Sequence, residues 1–158
     1  MERGKRVIVL TILIILVICS TGFILINSLM DYENSHNSSG VITDIITSTD
    51  DIKEWDHTDM IVRKLAHVIE YALLGACVSA LAFFIGYIYN KRIYGYVLAY
   101  SLFIAVLDEH IQSFSDRVSS TSDILLDFVG ALLGGLFVMI IYFTVTYVLK
   151  RKNNAQPN

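Results

Sequence analysis

The chain has 158 residues, of which 54% are hydrophobic, and a formal net charge of −3. Soluble domains are nearer 45–50% apolar, and the apolar excess here is gathered into four blocks, each long enough to cross a bilayer. That leaves room for one small membrane bundle and no separate soluble domain. The net charge says nothing about nucleic acid, but no basic patch of the required kind is present, so no nucleic-acid partner is expected.

In chain order, residues 1–6 are short and basic, with Arg3, Lys5 and Arg6. Residues 7–29 are an apolar run of 23 residues. A signal-peptide core is normally only about 7–15 residues, so the run reads as an uncleaved transmembrane helix closing an N-terminal segment, 1–29. Residues 30–60 form a polar, acidic loop. Within it, residues 41–55 carry a weak amphipathic pattern, Trp55 suits a membrane interface, and Asn37-Ser38-Ser39 fits a glycosylation acceptor. Three further spans are predicted at 65–89, 93–114 and 124–149, within a region covering 61–149. A basic turn, Asn90-Lys91-Arg92, joins the first two of these, and a short polar loop at 115–122 joins the last two. A basic and polar tail covers 150–158. Short connections make consecutive spans antiparallel neighbours. Cys19 and Cys77 both fall in apolar helices and do not suggest a disulfide framework. The expected architecture is an all-α, integral membrane four-helix bundle.

Lysine and arginine set the expected orientation. With the N-terminus inside, eight of them lie on the inner side and four on the outer. Both termini are therefore expected in the cytoplasm of a multi-pass plasma-membrane protein, with the acidic loop and the 115–122 loop facing outward.

This topology gathers polar residues at one depth. Arg63, Lys64, His67, Glu70 and Tyr71 form a helical stripe at the outer end of the second span. Asp108 and Gln112 share a face of the third span, with Glu109 beside them, while His110 points away. Asp123, Asp127, Gly130 and Gly134 line the fourth. Charged residues within spans are costly, by about 2.5–3.5 kcal/mol each on insertion scales, and they face the bundle interior and pair with one another. Asp123 also suits an N-cap, with Ser122 as its competitor. The Gly130/Gly134 pair is a close-packing motif. Tyr87, Tyr89, Tyr94, Tyr96 and Tyr142 suit an interface belt or packing.

The segments Arg63-Lys64-Leu65-Ala66-His67-Val68-Ile69-Glu70-Tyr71, Asp108-Glu109-His110-Ile111-Gln112, Arg117 and Asp123-Ile124-Leu125-Leu126-Asp127-Phe128-Val129-Gly130 together resemble the VanZ-like family over roughly residues 61–142. The loop departs from that pattern: Ser115-Asp116 precedes Arg117 and Val118-Ser119 follows it, where many relatives carry Pro-Gly and Gly. The resemblance implies a bacterial cell-envelope membrane protein related to one linked to teicoplanin resistance. It carries over Lys64, His67, Glu70, Tyr71, Asp108, Glu109, Gln112, Arg117, Asp123 and Asp127 as the characteristic polar positions.

Three chemistries are open to these residues. Arg63, Lys64 and Arg117 could hold the phosphate of a lipid-linked cell-wall precursor, or groups of a glycopeptide antibiotic, with Asp108, Glu109 and Asp127 fixing those cations or hydrogen-bonding sugars and amides. His67, Glu70, Asp108 and Glu109 are candidate catalytic groups for a hydrolase or transferase acting on a lipid phosphate. The same four could hold a divalent cation, although no residue is assigned to a metal and no cofactor is identified. Ion-coupled transport also uses intramembrane carboxylates, but the polar groups sit at one end of the spans with no polar path crossing inward. Membrane lipids are the expected surroundings, and the sequence leaves the oligomeric state open.

Overall fold

The computed structural model describes residues 3–29, 58–91, 93–113 and 120–154. The amphipathic segment at 41–55, Asn37, Trp55 and Arg117 lie outside the described residues. The architecture is all-helical, with no strand among the described residues: α1 (Arg3–Leu29), α2 (Thr58–Tyr89), α3 (Tyr94–Gln112) and α4 (Thr121–Asn154).

Three helices are long and apolar enough to cross a membrane, over Arg3–Leu29, Lys64–Tyr89 and Thr121–Lys152. The third predicted span is the exception. Its 19 residues reach about 28 Å, close to the roughly 30 Å of a hydrocarbon core. Asp108, Glu109, His110 and Gln112 crowd its last turn and a half and dilute its apolar character. Helix boundaries also differ from the sequence reading: α4 runs on to Asn154, five residues past 149 and into the predicted tail, and two helices start early. α2 starts at Thr58, one to two turns before the predicted 65, and α4 starts at Thr121, three residues before 124. In both, polar residues continue the helix beyond its apolar stretch, where periodicity in hydrophobicity gives no signal.

α2 and α4 form the largest interface, and they run parallel. A methyl group on Gly130 would lie 2.7 Å from the Val68 carbonyl oxygen, and one on Gly134 or Gly75 would overlap the backbone of Ala72 or Ala131. The two backbones thus touch along a seam of small residues, as the Gly130/Gly134 spacing predicts. α3 lies antiparallel to both, with Tyr71 of α2 beside Ile104 and Phe83 beside Tyr94. The reversal between α2 and α3 is made at Asn90, whose φ of 52° is left-handed. Asparagine tolerates that conformation at a helix end better than most residues do.

The core is narrow: Tyr71, Leu74 and Val78 of α2, Ile104 and Ala105 of α3, Ile24 of α1 and Ala131 of α4. Phe83 stacks on Tyr142 at 4.6 Å and tilts against Tyr94 at 5.3 Å, so two of the tyrosines assigned to belt or packing are packing residues. Most large apolar side chains point outward instead, Ile18, Ile69 and Phe137 among them. In water such a surface would drive aggregation. In lipid it is the normal exterior of a bundle, because hydrocarbon is as apolar as leucine. The chain is a membrane protein.

Candidate functional site

The buried carboxylates lie at one end of the bundle. Asp108 is fully buried, Glu109 is 2% exposed and Asp127 is 3% exposed. Each is contributed by a helix that presents it on the face opposed to its neighbours. On α3, Ser101, Ile104, Ala105 and Asp108 share the buried face. On α4, Asp127, Gly130, Ala131 and Gly134 do so. His67 stands one turn before Tyr71 on α2, and Tyr71 is itself fully buried. As a result His67, Asp108 and Asp127, from three helices, each bring a ligand-type atom to within 4.8 Å of the other two.

Hydrogen bonds fix the surroundings. Gln112 Nε2 donates to Asp108 Oδ2 at 3.1 Å, so the two residues predicted to share a face do so in contact. The Tyr71 hydroxyl reaches the Ile104 carbonyl at 3.4 Å, a weak bond that ties α2 to α3 under the cluster. Asp108 Oδ1 and Glu109 Oε2 are buried with no hydrogen-bond partner among the described residues.

Glu109 has a different task from Asp108. Its Oε1 accepts from the backbone N–H of Ser120, so it holds the start of α4 against the end of α3. Ser120 is also the N-cap. Its carbonyl accepts from Asp123 N at 2.9 Å, and its hydroxyl accepts from Ser122 N at 3.3 Å. The cap expected at Asp123 or Ser122 therefore belongs to Ser120, because the helix starts earlier than its apolar stretch.

Asp123 is left to pair with Lys64 at 2.8 Å. That corrects a second expectation: Lys64 is held by Asp123 at the rim and not by Asp108, Glu109 or Asp127. With side chains 45% and 35% exposed, the pair contributes less than about 1 kcal/mol. Its main effect is to align the starts of α2 and α4. Arg63 lies in α2, and His110 is exposed, as expected from its opposite face.

The site also includes residues the sequence reading passed over. Asn27 Nδ2 of α1 donates to Glu70 Oε1 at 3.0 Å, and Ser28 Oγ donates to the Asp108 carbonyl at 3.1 Å. Thr21 and the Tyr100 hydroxyl meet at 2.9 Å two turns away. α1 is thus a wall of the site and not only an anchor. The signal was present in the polar residues Ser20, Thr21, Asn27 and Ser28 on an otherwise apolar run, with Ser20, Ile24 and Ser28 buried at intervals of four. Glu70 is thereby drawn to the α1 side, and its Oε2 is buried without a hydrogen-bond partner among the described residues. Replacing Asn27 by leucine strips Glu70 of its donor and is expected to cost about 1–3 kcal/mol. The check is a thermal melt of detergent-solubilised protein, in which Asn27→Ser should recover part of the loss.

Below the carboxylates, the gap between α2, α3 and α4 opens as an apolar groove of about 420 Å³, lined among others by Ser79, Phe83, Val97, Ser101, Ala131 and Met139. Ser101 lies seven residues from Asp108, or about 10 Å along the helix, and Tyr94 lies about 21 Å away at the far end. The cluster and the groove follow one another along the same helix faces.

The carboxylates and the imidazole can accept or hold protons, hydrogen-bond hydroxyl or amide groups, or bind a cation. No curated protein and no solved structure matches the chain. A family model, VanZ/LLP1, matches residues 12–142, which takes in most of α1, all of α2 and α3, and the first two thirds of α4. That match spans every helix contributing to the cluster, and the chain belongs to the VanZ/LLP1 family.

Proposed function

We propose that the protein binds the head group of a lipid-linked cell-envelope precursor at the outer leaflet of the bacterial plasma membrane, and that through this site it confers or modulates resistance to teicoplanin-type glycopeptides. The observation that carries the reading is the buried polar cluster standing directly over an apolar groove along the same helix faces. A polar head and an apolar chain joined end to end are the shape of a lipid. The charge bias of the sequence supports both termini in the cytoplasm, which puts the cluster on the extracytoplasmic side. Lys64, Asp123 and Gln112 then form the rim nearest the polar phase. His67, Glu70, Tyr71, Asp108, Glu109 and Asp127 form the interior.

A second reading has specific support. His67 brings a ring nitrogen within 4.8 Å of two carboxylates from other helices, an arrangement suited to general acid–base chemistry in a hydrolase or transferase acting on a lipid phosphate. Ion-coupled transport has less, because the acidic residues are confined to one end of the bundle.

The test expresses wild type and Asp127→Asn at matched membrane levels in a susceptible Gram-positive host and measures growth inhibition by teicoplanin and by an unrelated membrane-active drug. Purified proteins are tested in parallel for binding of a polyprenyl-diphosphate sugar against phosphatidylglycerol. Wild type is expected to protect against teicoplanin alone and to prefer the diphosphate lipid, with both properties lost in the variant. Absence of protection and of preference sinks the reading. Hydrolysis of the diphosphate bridge during the binding assay, read as release of a water-soluble sugar phosphate with polyprenyl phosphate left behind, would favour the enzyme instead.

A further inference from the structure

The sequence alone suggests a cation set of His67, Glu70, Asp108 and Glu109. Two of those four stand outside the group of mutually close ligand atoms, each tied by one oxygen to a different neighbour: Glu70 to Asn27 and Glu109 to the Ser120 backbone. Asp127, absent from that set, takes their place beside His67 and Asp108. We propose that His67, Asp108 and Asp127 form a binding site for a divalent transition-metal ion, Zn²⁺ or Mn²⁺.

Four observations converge on it. The three donors come from three helices and meet at one point, so the constellation is tertiary and not a run of acids along one surface. Asp108 is fully buried, and its Oδ1 has no hydrogen-bond partner among the described residues. Its other oxygen is fixed by Gln112, and its backbone is fixed by Ser28. The carboxylate is therefore oriented by neighbours that leave one oxygen for a ligand, as outer-sphere partners orient metal ligands. Charge points the same way. Asp108 and Asp127 are buried together, and Lys64, which stands nearby, is paired with Asp123 at the rim. Buried charges are retained when they are paired or coordinate a metal.

The dimensions fit after a small closure. Donor atoms no more than 4.8 Å apart all lie within about 2.8 Å of a common point, so each must move inward by roughly 0.6–0.8 Å to reach metal–ligand distances of about 2.0–2.2 Å. One imidazole nitrogen and two carboxylate oxygens suit Zn²⁺ or Mn²⁺ better than Ca²⁺, which prefers oxygen alone and more ligands. Three protein ligands leave positions open for an oxygen of a bound anionic group. The metal site itself does not depend on which organic ligand the protein takes.

The experiment uses the full chain purified in detergent, stripped with a chelator and dialysed. Metal content is measured after equilibration with Zn²⁺ or Mn²⁺, Mn²⁺ binding is followed by its EPR signal, and melting temperature is recorded with each metal and with Mg²⁺. Wild type is expected to retain metal stoichiometrically and to melt roughly 5 °C or more higher at metal concentrations about 100-fold above Kd. His67→Gln and Asp127→Asn are each expected to weaken binding at least about tenfold. His110→Gln, which removes an exposed imidazole from the same helix end, should leave binding unchanged. Metal-free wild type with no metal-dependent melting shift overturns the proposal, whatever the variants do. So does wild-type binding that survives His67→Gln and Asp127→Asn undiminished, or that is equally strong for Mg²⁺ and indifferent to His67.

Discussion

A Gly134→Leu protein is expected to melt roughly 10 °C below the wild type, the equivalent of about 3 kcal/mol or more. Overpacking is usually relieved by a side chain moving aside. At Gly134 nothing of that kind is available, because the obstacle is the Ala72 backbone. α2 and α4 would have to separate, and their seam continues through Gly130 against Val68 and Gly75 against Ala131. His67 lies on α2 and Asp127 on α4, so the same separation pulls the site apart. The matched control is Gly22→Leu on α1, where an added Cβ meets nothing within 4 Å. It should melt near the wild type. Equal melting of the two variants would refute the close approach of α2 and α4. Gly134→Ala should fall between them, since a single methyl group already overlaps the Ala72 carbonyl.

That seam was legible in the sequence, because small residues four apart on an apolar helix have one main physical use. The stripes on α2, α3 and α4 were legible for a related reason: a charge inside a span is expensive, so its position carries information. His67, Tyr71, Asp108, Gln112 and Asp127 all converge as those stripes imply. What periodicity does not encode is partner choice. Glu70, Glu109 and Asp127 look alike on a helical wheel. Only the three-dimensional arrangement assigns Glu70 to Asn27, Glu109 to the Ser120 backbone and Asp127 to the centre. The role of α1 was hidden for a different reason. Asn27 and Ser28 are uncharged, so their cost in a span is small and their signal weak. Helix starts failed where polar residues extend α2 and α4 beyond the apolar blocks, and the capping assignment at Asp123 failed with them.

The second large effect is expected at Asp108 and has opposite signs for stability and function. Asp108→Asn should raise the stability of metal-stripped protein while abolishing both metal binding and protection against teicoplanin. The asparagine side chain keeps the size of aspartate, and its carbonyl can take the place of Oδ2 as acceptor for Gln112 Nε2. Its amide nitrogen then occupies the position of Oδ1, which is buried with no hydrogen-bond partner among the described residues, on a side chain that approaches His67 and Asp127. There it can donate to the Asp127 carboxylate. A buried like-charge contact is exchanged for a hydrogen bond, and neutral replacement of buried ionic groups is commonly neutral or stabilising by on the order of 1–4 kcal/mol. Asp108→Leu should destabilise instead, because it leaves Gln112 without its acceptor. If the cluster were only a structural ion-pair network, Asp108→Asn would behave like Asp108→Leu and lower the melting temperature. If the carboxylates are held together for a ligand, the folded chain carries a strain that the ligand relieves. The asparagine variant then separates the two roles in one melt, with a higher melting temperature in chelator and no further rise when Zn²⁺ or Mn²⁺ is added.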